Sequence, residues 1–298
     1  MWKMSQYMFI AALLSLALAT FAYMLYSVAR FRVKARVLAL AAEGAGELQA
    51  VDAAGGGWLR TPAYYGTMLA WISLVFLTLS LVFRGVVTGH GPFQNMYEFS
   101  AAFAWGALGA YLWFERRYKS RGLAIVVVPV ALAMLVYAAL LPSDAQPLVP
   151  ALQNSLLLTV HVAVAIVAYG VFSVGFGAAV LYLLKKYSAF EWIPSLDILD
   201  DIGYKSVIIA FPFMALVLIL GALWANVAWG RYWSWDPKET ATLVTWLIYG
   251  GYLHARAIRG WRGTKSAVLL LIGFAAVLFT YFGNYFFSGL HSYGNVGG

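Results

Sequence analysis

Apolar residues fall along the chain in eight long runs: Gln6–Ala29, Ala63–Phe83, Asn95–Phe114, Gly122–Leu141, Ser155–Leu184, Val207–Val227, Thr240–Ile258 and Ser266–Leu290. Each is close to the roughly 20 residues a helix needs to cross a hydrocarbon core. The pattern therefore predicts an all-α, polytopic membrane bundle of about eight transmembrane helices, with every backbone polar group satisfied inside its own helix. The polar residues between the runs alternate in charge. Arg30, Arg32, Lys34, Arg36 and Arg60 separate the first two runs, and Arg116, Arg117, Lys119 and Arg121 separate the third and fourth. Lys185, Lys186 and Lys205 follow the fifth run, and Arg256, Arg259, Arg262 and Lys265 lie where the seventh meets the eighth. Sixteen of the twenty basic residues thus share one side. By the positive-inside rule that side is cytoplasmic, and both termini lie outside. The first run contains Ala17-Leu18-Ala19, similar to a signal-peptidase site, but continues past it into a basic cluster. A retained, reversed signal anchor is the expectation.

Composition agrees with this pattern. The chain is 63% hydrophobic and 11% charged, with a mean hydropathy of +0.78, against about 45–50% apolar and 25% charged in soluble domains. The whole of 1–298 reads as a single transmembrane domain. In a membrane protein the net charge of +8 reports orientation first, so no nucleic-acid partner is expected. Zero cysteines exclude disulfides, thiolate ligands and a thiol nucleophile from this chain. Any thiol chemistry it supports belongs to a partner. The glycine-rich Gly44–Gly57 reads as a cytoplasmic loop without chemistry, and Tyr187–Gly203 as an interfacial amphipathic turn or helix. Gly170, Gly175 and Gly177 read as close-packing positions between helices.

Against this background one external stretch, at about 228–239, is unusual. "WGRYWSWDPKET", residues 229–240, places Trp229, Tyr232, Trp233 and Trp235 within seven residues and follows them with Asp236-Pro237-Lys238-Glu239. An interfacial aromatic belt would account for the tryptophans alone, but their density and the polar run behind them fit a platform for a large flat ligand. The four histidines, His90, His161, His254 and His291, narrow the choice. Imidazole is the usual axial ligand of haem iron. His254 lies about 21 Å along its helix from Thr240, whereas two axial nitrogens on one iron are only about 4 Å apart. If haem is the ligand, the sequence implies two sites at different depths, and the deeper one lacks an obvious second ligand in this chain. A quinol-linked b-type cytochrome would show paired histidines at matched depth, which this spacing does not provide. No Ser-His-Asp grouping, phosphate loop or paired carboxylates argue for hydrolysis or ATP-driven work.

"WGRYWSWDPKE" resembles the tryptophan-rich WWD signature of haem-handling proteins in cytochrome c biogenesis, and its "WDPKE" ending is similar to the CcsA/ResC family of the System II cytochrome c synthase. "GHGPFQNMYEFS" at 89–100, "HVAVAIVAYG" at 161–170 and "GLHSYG" at 289–294 match that family in the same order. The resemblance implies that His161 and His291 ligate haem b from its two faces at the outer surface, and that His254 holds haem during its passage. A ResB-type membrane subunit supplies the other transmembrane ligand. It further implies a cytochrome c synthase subunit in a bacterial inner membrane, with a periplasmic active face, that attaches haem to C-x-x-C-H apocytochromes alongside thiol-reducing pathway proteins. Trp229, Trp233, Trp235 and Asp236 would orient the vinyl edge. Arg231 and Lys238 are candidate partners for the propionates, with Asp236 and Glu239 as competitors that would pin those cations to the loop. A haem exporter that delivers without attaching is the alternative. His90 is expected to be structural, hydrogen-bonded to Asn95 and Glu98.

Overall fold

The computed structural model describes residues 1–42, 60–144, 155–188 and 193–291. All eight expected helices are present: α1 Trp2–Ala42, α2 Arg60–Thr88, α3 Met96–Tyr118, α4 Ala124–Ala139, α5 Ser155–Tyr187, α6 Leu196–Trp229, α7 Pro237–Arg259 and α8 Thr264–Phe282. A 3₁₀ turn at Gly283–Tyr285 follows. Among the described residues, α1, α2, α5, α6 and α8 are long and apolar enough to cross a membrane. Helix α4, at 16 residues, spans only about 24 Å. Helices α3 and α7 carry charges at both ends.

The hydrophobic pattern misplaced some ends, for identifiable reasons. Helix α6 starts at Leu196, where Ser195 accepts a hydrogen bond from the Ile198 N–H, so Leu196–Gly203 is the first part of a long helix rather than a separate interfacial element. Helix α8 stops at Phe282 rather than Leu290, because the chain tightens at Gly283 and turns back toward the start of α7. The Gly44–Gly57 loop and Trp192 lie outside the described residues.

Helix α1 buries Ser5, Phe9, Ala12, Leu16, Ala19 and Tyr23, a spacing of three and four that defines one helical face, against α2. Its opposite face exposes Ile10, Leu14, Leu18, Phe21 and Leu25, as a lipid-facing surface would. The small residues sit where backbones meet. A Cβ on Gly170 would lie 2.4 Å from the carbonyl carbon of Gly106, and one on Gly175 or Gly177 would lie 2.4 Å from Ser206 Oγ or 2.5 Å from Val127 Cγ2. These glycines let α5 approach α3, α6 and α4 closely.

Two buried acids brace the bundle. Glu115 accepts hydrogen bonds from Tyr23, Thr67 and Tyr111. Near the other end Arg84, 2% exposed, donates to Glu98 at 2.6 Å, and Glu98 also accepts the backbone N–H of Gln94 at 2.6 Å. Glu98 therefore fixes the 89–100 segment rather than serving His90. Asn95 caps α3 by accepting from the Glu98 N–H, and His90 Nδ1 pairs with the carbonyl of Gly91 at 2.8 Å. The expected company of His90 is thus corrected, since both candidates are used locally.

Candidate functional site

Helix α6 ends at Trp229, where Gly230 takes the left-handed conformation (φ 73°) that a side chain would resist. Six residues later Asp236 opens α7 with a complete capping box: its side chain accepts from the Lys238 N–H, while Glu239 reaches back to the Asp236 N–H. Glu239 Oε2 also accepts from the Ser234 N–H at 2.8 Å. The loop between the helices is therefore closed on itself. Trp235 pays for that closure with a φ of 58°, an uncommon conformation for a residue with a large side chain.

Asp236 does more than cap. Its Oδ1 accepts from His291 Nδ1 at 2.8 Å and its Oδ2 from the Leu290 N–H at 2.6 Å, which ties the segment after α8 to the tryptophan loop. Gly289 permits the approach: a Cβ there would lie 2.3 Å from Asp236 Oδ2. Burial pushes the Asp236 carboxyl up, but the His291 hydrogen bond and the backbone N–H groups of Lys238 and Leu290 outweigh it and hold it down to about 2. Burial lowers His291 below the usual imidazole range, against the opposing pull of Asp236. The pair is therefore a carboxylate accepting from a neutral imidazole, rather than an ion pair. With Nδ1–H donated to Asp236, Nε2 is the ring nitrogen that carries the lone pair.

His161, on α5, meets this assembly from the other side. Its ring stacks on Trp224 of α6 at 6.4 Å between centroids and 12° between planes, and its buried Nδ1 has no hydrogen-bond partner among the described residues. Trp224, 2% exposed, also contacts His291 at 5.6 Å and Trp229 at 4.8 Å, and Trp229 meets His291 edge-on at 4.8 Å. Both outer histidines thus lean on one indole. They line a cavity of about 1020 Å³, its open mouth included, with Trp224, Tyr232, Trp233 and Lys238.

The fold brings together His161, His291, Trp229, Trp233, Asp236 and Lys238. It leaves three other expected residues aside. Trp235 packs edge-on against Trp233 at 5.7 Å but is 70% exposed. Arg231 is exposed on the loop. His254 is exposed on α7, close along the helix to Arg256 and far from the outer pair. The pinning of Lys238 by its acidic neighbours is not what the geometry shows. Asp236 and Glu239 are occupied by the cap and His291, while the Lys238 ammonium lies 5.6 Å from the centre of the Phe99 ring.

Trp224 and Gly221 escaped the sequence reading because both lie inside the sixth apolar run. The available signal was a further tryptophan five residues before Trp229. A Cβ on Gly221 would lie 3.0 Å from His161 Cε1, so Gly221 leaves space for the imidazole. Gly221→Ala is expected to displace that ring by a few tenths of an ångström and to weaken binding of a ligand held by His161 about tenfold with unchanged protein abundance, since positional errors near 1 Å cost about a hundredfold. Ligand bound per unit of purified protein measures it.

Residues 93–291 match the family described as cytochrome C assembly protein. A "Cytochrome c biogenesis protein CcsA" of Prochlorococcus marinus (strain MIT 9215) is 35% identical over 276 residues, 82% of this chain and 89% of the relative. That of Guillardia theta is 36% identical over 259 residues, 78% and 85% of the two chains. That of Chlamydomonas reinhardtii is 38% identical over 235 residues, 75% of this chain and 66% of the relative.

Proposed function

The chain belongs to the cytochrome c assembly protein family and acts in cytochrome c maturation as a polytopic membrane protein, and from that premise we propose that it carries haem b through the membrane and presents it for attachment to C-x-x-C-H apocytochromes. The observation that carries this reading is the convergence of His161 and His291 on the cavity beside Trp224. Among the described residues no group of three or more His, Asp or Glu gathers as a metal cage. Two lone imidazoles suit an iron that brings its own equatorial nitrogens, as haem does.

In this reading each cysteine S–H of the apocytochrome adds across a haem vinyl group to give a thioether, and the substrate histidine replaces an axial ligand. This chain contributes binding and orientation. Asp236 holds His291 as the neutral tautomer, Trp229 and Trp224 fix both imidazoles, Trp233 offers a flat face, and Lys238 offers a cation for a propionate. The basic ends of the helices face the cytoplasm, and the tryptophan loop faces the periplasm or, in a thylakoid, the lumen. A ResB-type subunit is the partner. The outward-facing His254 supports that arrangement, because a second ligand to an iron there comes from another chain.

Co-expression with a ResB-type partner and a C-x-x-C-H reporter tests the proposal. Covalent haem on the reporter supports a synthase, whereas haem on the complex without thioether product supports an exporter. His254→Ala is expected to empty both haem positions at once if they lie in series. Loss of only the deep haem, read from the spectrum of the purified complex, would show separate routes.

A further inference from the structure

The basic end of the bundle holds a second feature, separate from the cavity of His161 and His291. The α7–α8 turn and the end of α5 enclose a cavity of about 800 Å³, its open mouth included, whose lining contains Lys186, Arg259, Arg262 and Lys265 and no acidic residue. Positive-inside loops are basic in any membrane protein, but two features here go beyond that statistic. The cations converge on one concavity from α5, α7, α8 and the turn between the last two. Trp261 lies in the lining, with the Lys265 ammonium 5.3 Å from its ring centre.

The acids on this side stand next to the concavity with partners of their own. Asp197, Asp200 and Asp201 line the neighbouring cavity, which shares Tyr182, Arg262 and Gly263 with this one. Asp200 is taken by Arg256 at 2.5 Å and by the Gly263 N–H at 3.0 Å, and Asp201 by Lys205 at 2.9 Å. Lys186 reaches the Thr264 hydroxyl and so stands across the turn from Lys265.

We propose that this cavity binds a phosphate group, and specifically the headgroup of an anionic phospholipid. The chemistry of the site is that of a phosphate receptor: several cations and an indole at the rim. The choice of a lipid over free phosphate rests on what continues from it. Lys265, Val268, Ile272 and Phe279 share one face of α8, and the three apolar members are 43%, 48% and 49% exposed. That stripe offers acyl chains a path directly below the cations. Trp261 sits where an interfacial indole would, between headgroup and hydrocarbon.

The test is native mass spectrometry of the full chain released from vesicles of phosphatidylcholine doped with phosphatidylglycerol, with inorganic phosphate as a separate probe. Phosphatidylglycerol is expected to be retained over phosphatidylcholine. At an anionic lipid surface each cation contributes about fivefold, so R259Q/K265Q should weaken retention on the order of 25-fold. R116Q/R117Q, which removes the same charge at the α3–α4 turn, should retain the lipid as the parent does. If R259Q/K265Q proves unstable, K265Q alone, in an exposed first turn, should show about a fivefold loss. Equal losses in the two double variants would reduce the effect to bulk charge and overturn the site. Stabilisation by inorganic phosphate without preferential lipid retention would overturn the lipid assignment. Retention is read without haem or cytochrome, so its failure leaves the proposed function untouched.

Discussion

Changing either His161 or His291 to alanine is expected to abolish covalent haem attachment while leaving haem at the deep position. The two residues reach the same cavity by independent routes, one on α5 and one in the segment after α8, and each contacts Trp224. In the proposed site neither could replace the other, because each would serve a different face of the haem. Stability should respond differently in the two variants. His161→Ala removes a buried nitrogen that has no partner, so the loss of packing is offset in part by the lost desolvation cost. His291→Ala leaves Asp236 without one of its donors, although the Lys238 and Leu290 N–H groups still serve it. Abundance should therefore fall more for His291→Ala than for His161→Ala, while attachment is lost in both. Added imidazole, filling the vacated position, is expected to restore part of the activity. Attachment at parental levels in both variants would remove the outer ligand pair from the proposal.

The eight apolar runs were sufficient to find every α-helix among the described residues, because in a bilayer length and hydropathy nearly determine the fold. Helix ends were less legible, since they depend on caps: Ser195 extends α6 well before the apolar run begins, and Gly283 stops α8 while the apolar composition continues to Leu290. The candidate site was legible where polar or aromatic residues stand in unusual places, as in His161, His291 and the 229–240 loop. It was not legible where the contribution is space or a buried aromatic face. Gly221 and Trp224 are unremarkable members of an apolar run until the fold sets them against His161. The role of Asp236 was also understated. Read as one of four orienting residues, it turns out to join the start of α7 to His291, a contact between positions 55 residues apart.

That contact separates the residues of the opening loop into distinct classes of expected effect. Trp233→Ala, which removes a wall of the cavity, is expected to reduce thioether formation on the order of a hundredfold while abundance holds, because orientation is sensitive to displacements near 1 Å. Trp235→Ala should cost far less, since its side chain is 70% exposed and touches the cavity only through Trp233. Trp113→Ala, an exposed position on α3, should be silent and calibrates the anchoring contribution. Asp236 calls for a different experiment. Asp236→Ala removes the cap, worth about 1 kcal/mol, together with the hold on His291, so it confounds folding with ligation. Asp236→Asn separates them. Asparagine caps helices as well as aspartate does, so α7 and protein abundance should survive. Its side chain, however, offers one acceptor oxygen where the carboxylate used two. Kept at the Oδ1 position, where it serves the Lys238 cap and His291 together, that oxygen turns the amide nitrogen onto the Leu290 N–H, donor against donor, and releases the segment that carries His291 from the start of α7. The capped helix then survives while His291 loses its fixed place beside the cavity. Asp236→Asn is therefore expected to keep its abundance and its deep haem but to lose outer haem and attachment together, and its visible spectrum should resemble that of His291→Ala. A variant that binds outer haem normally yet fails to attach it would show instead that Asp236 acts on the vinyl chemistry and not through His291.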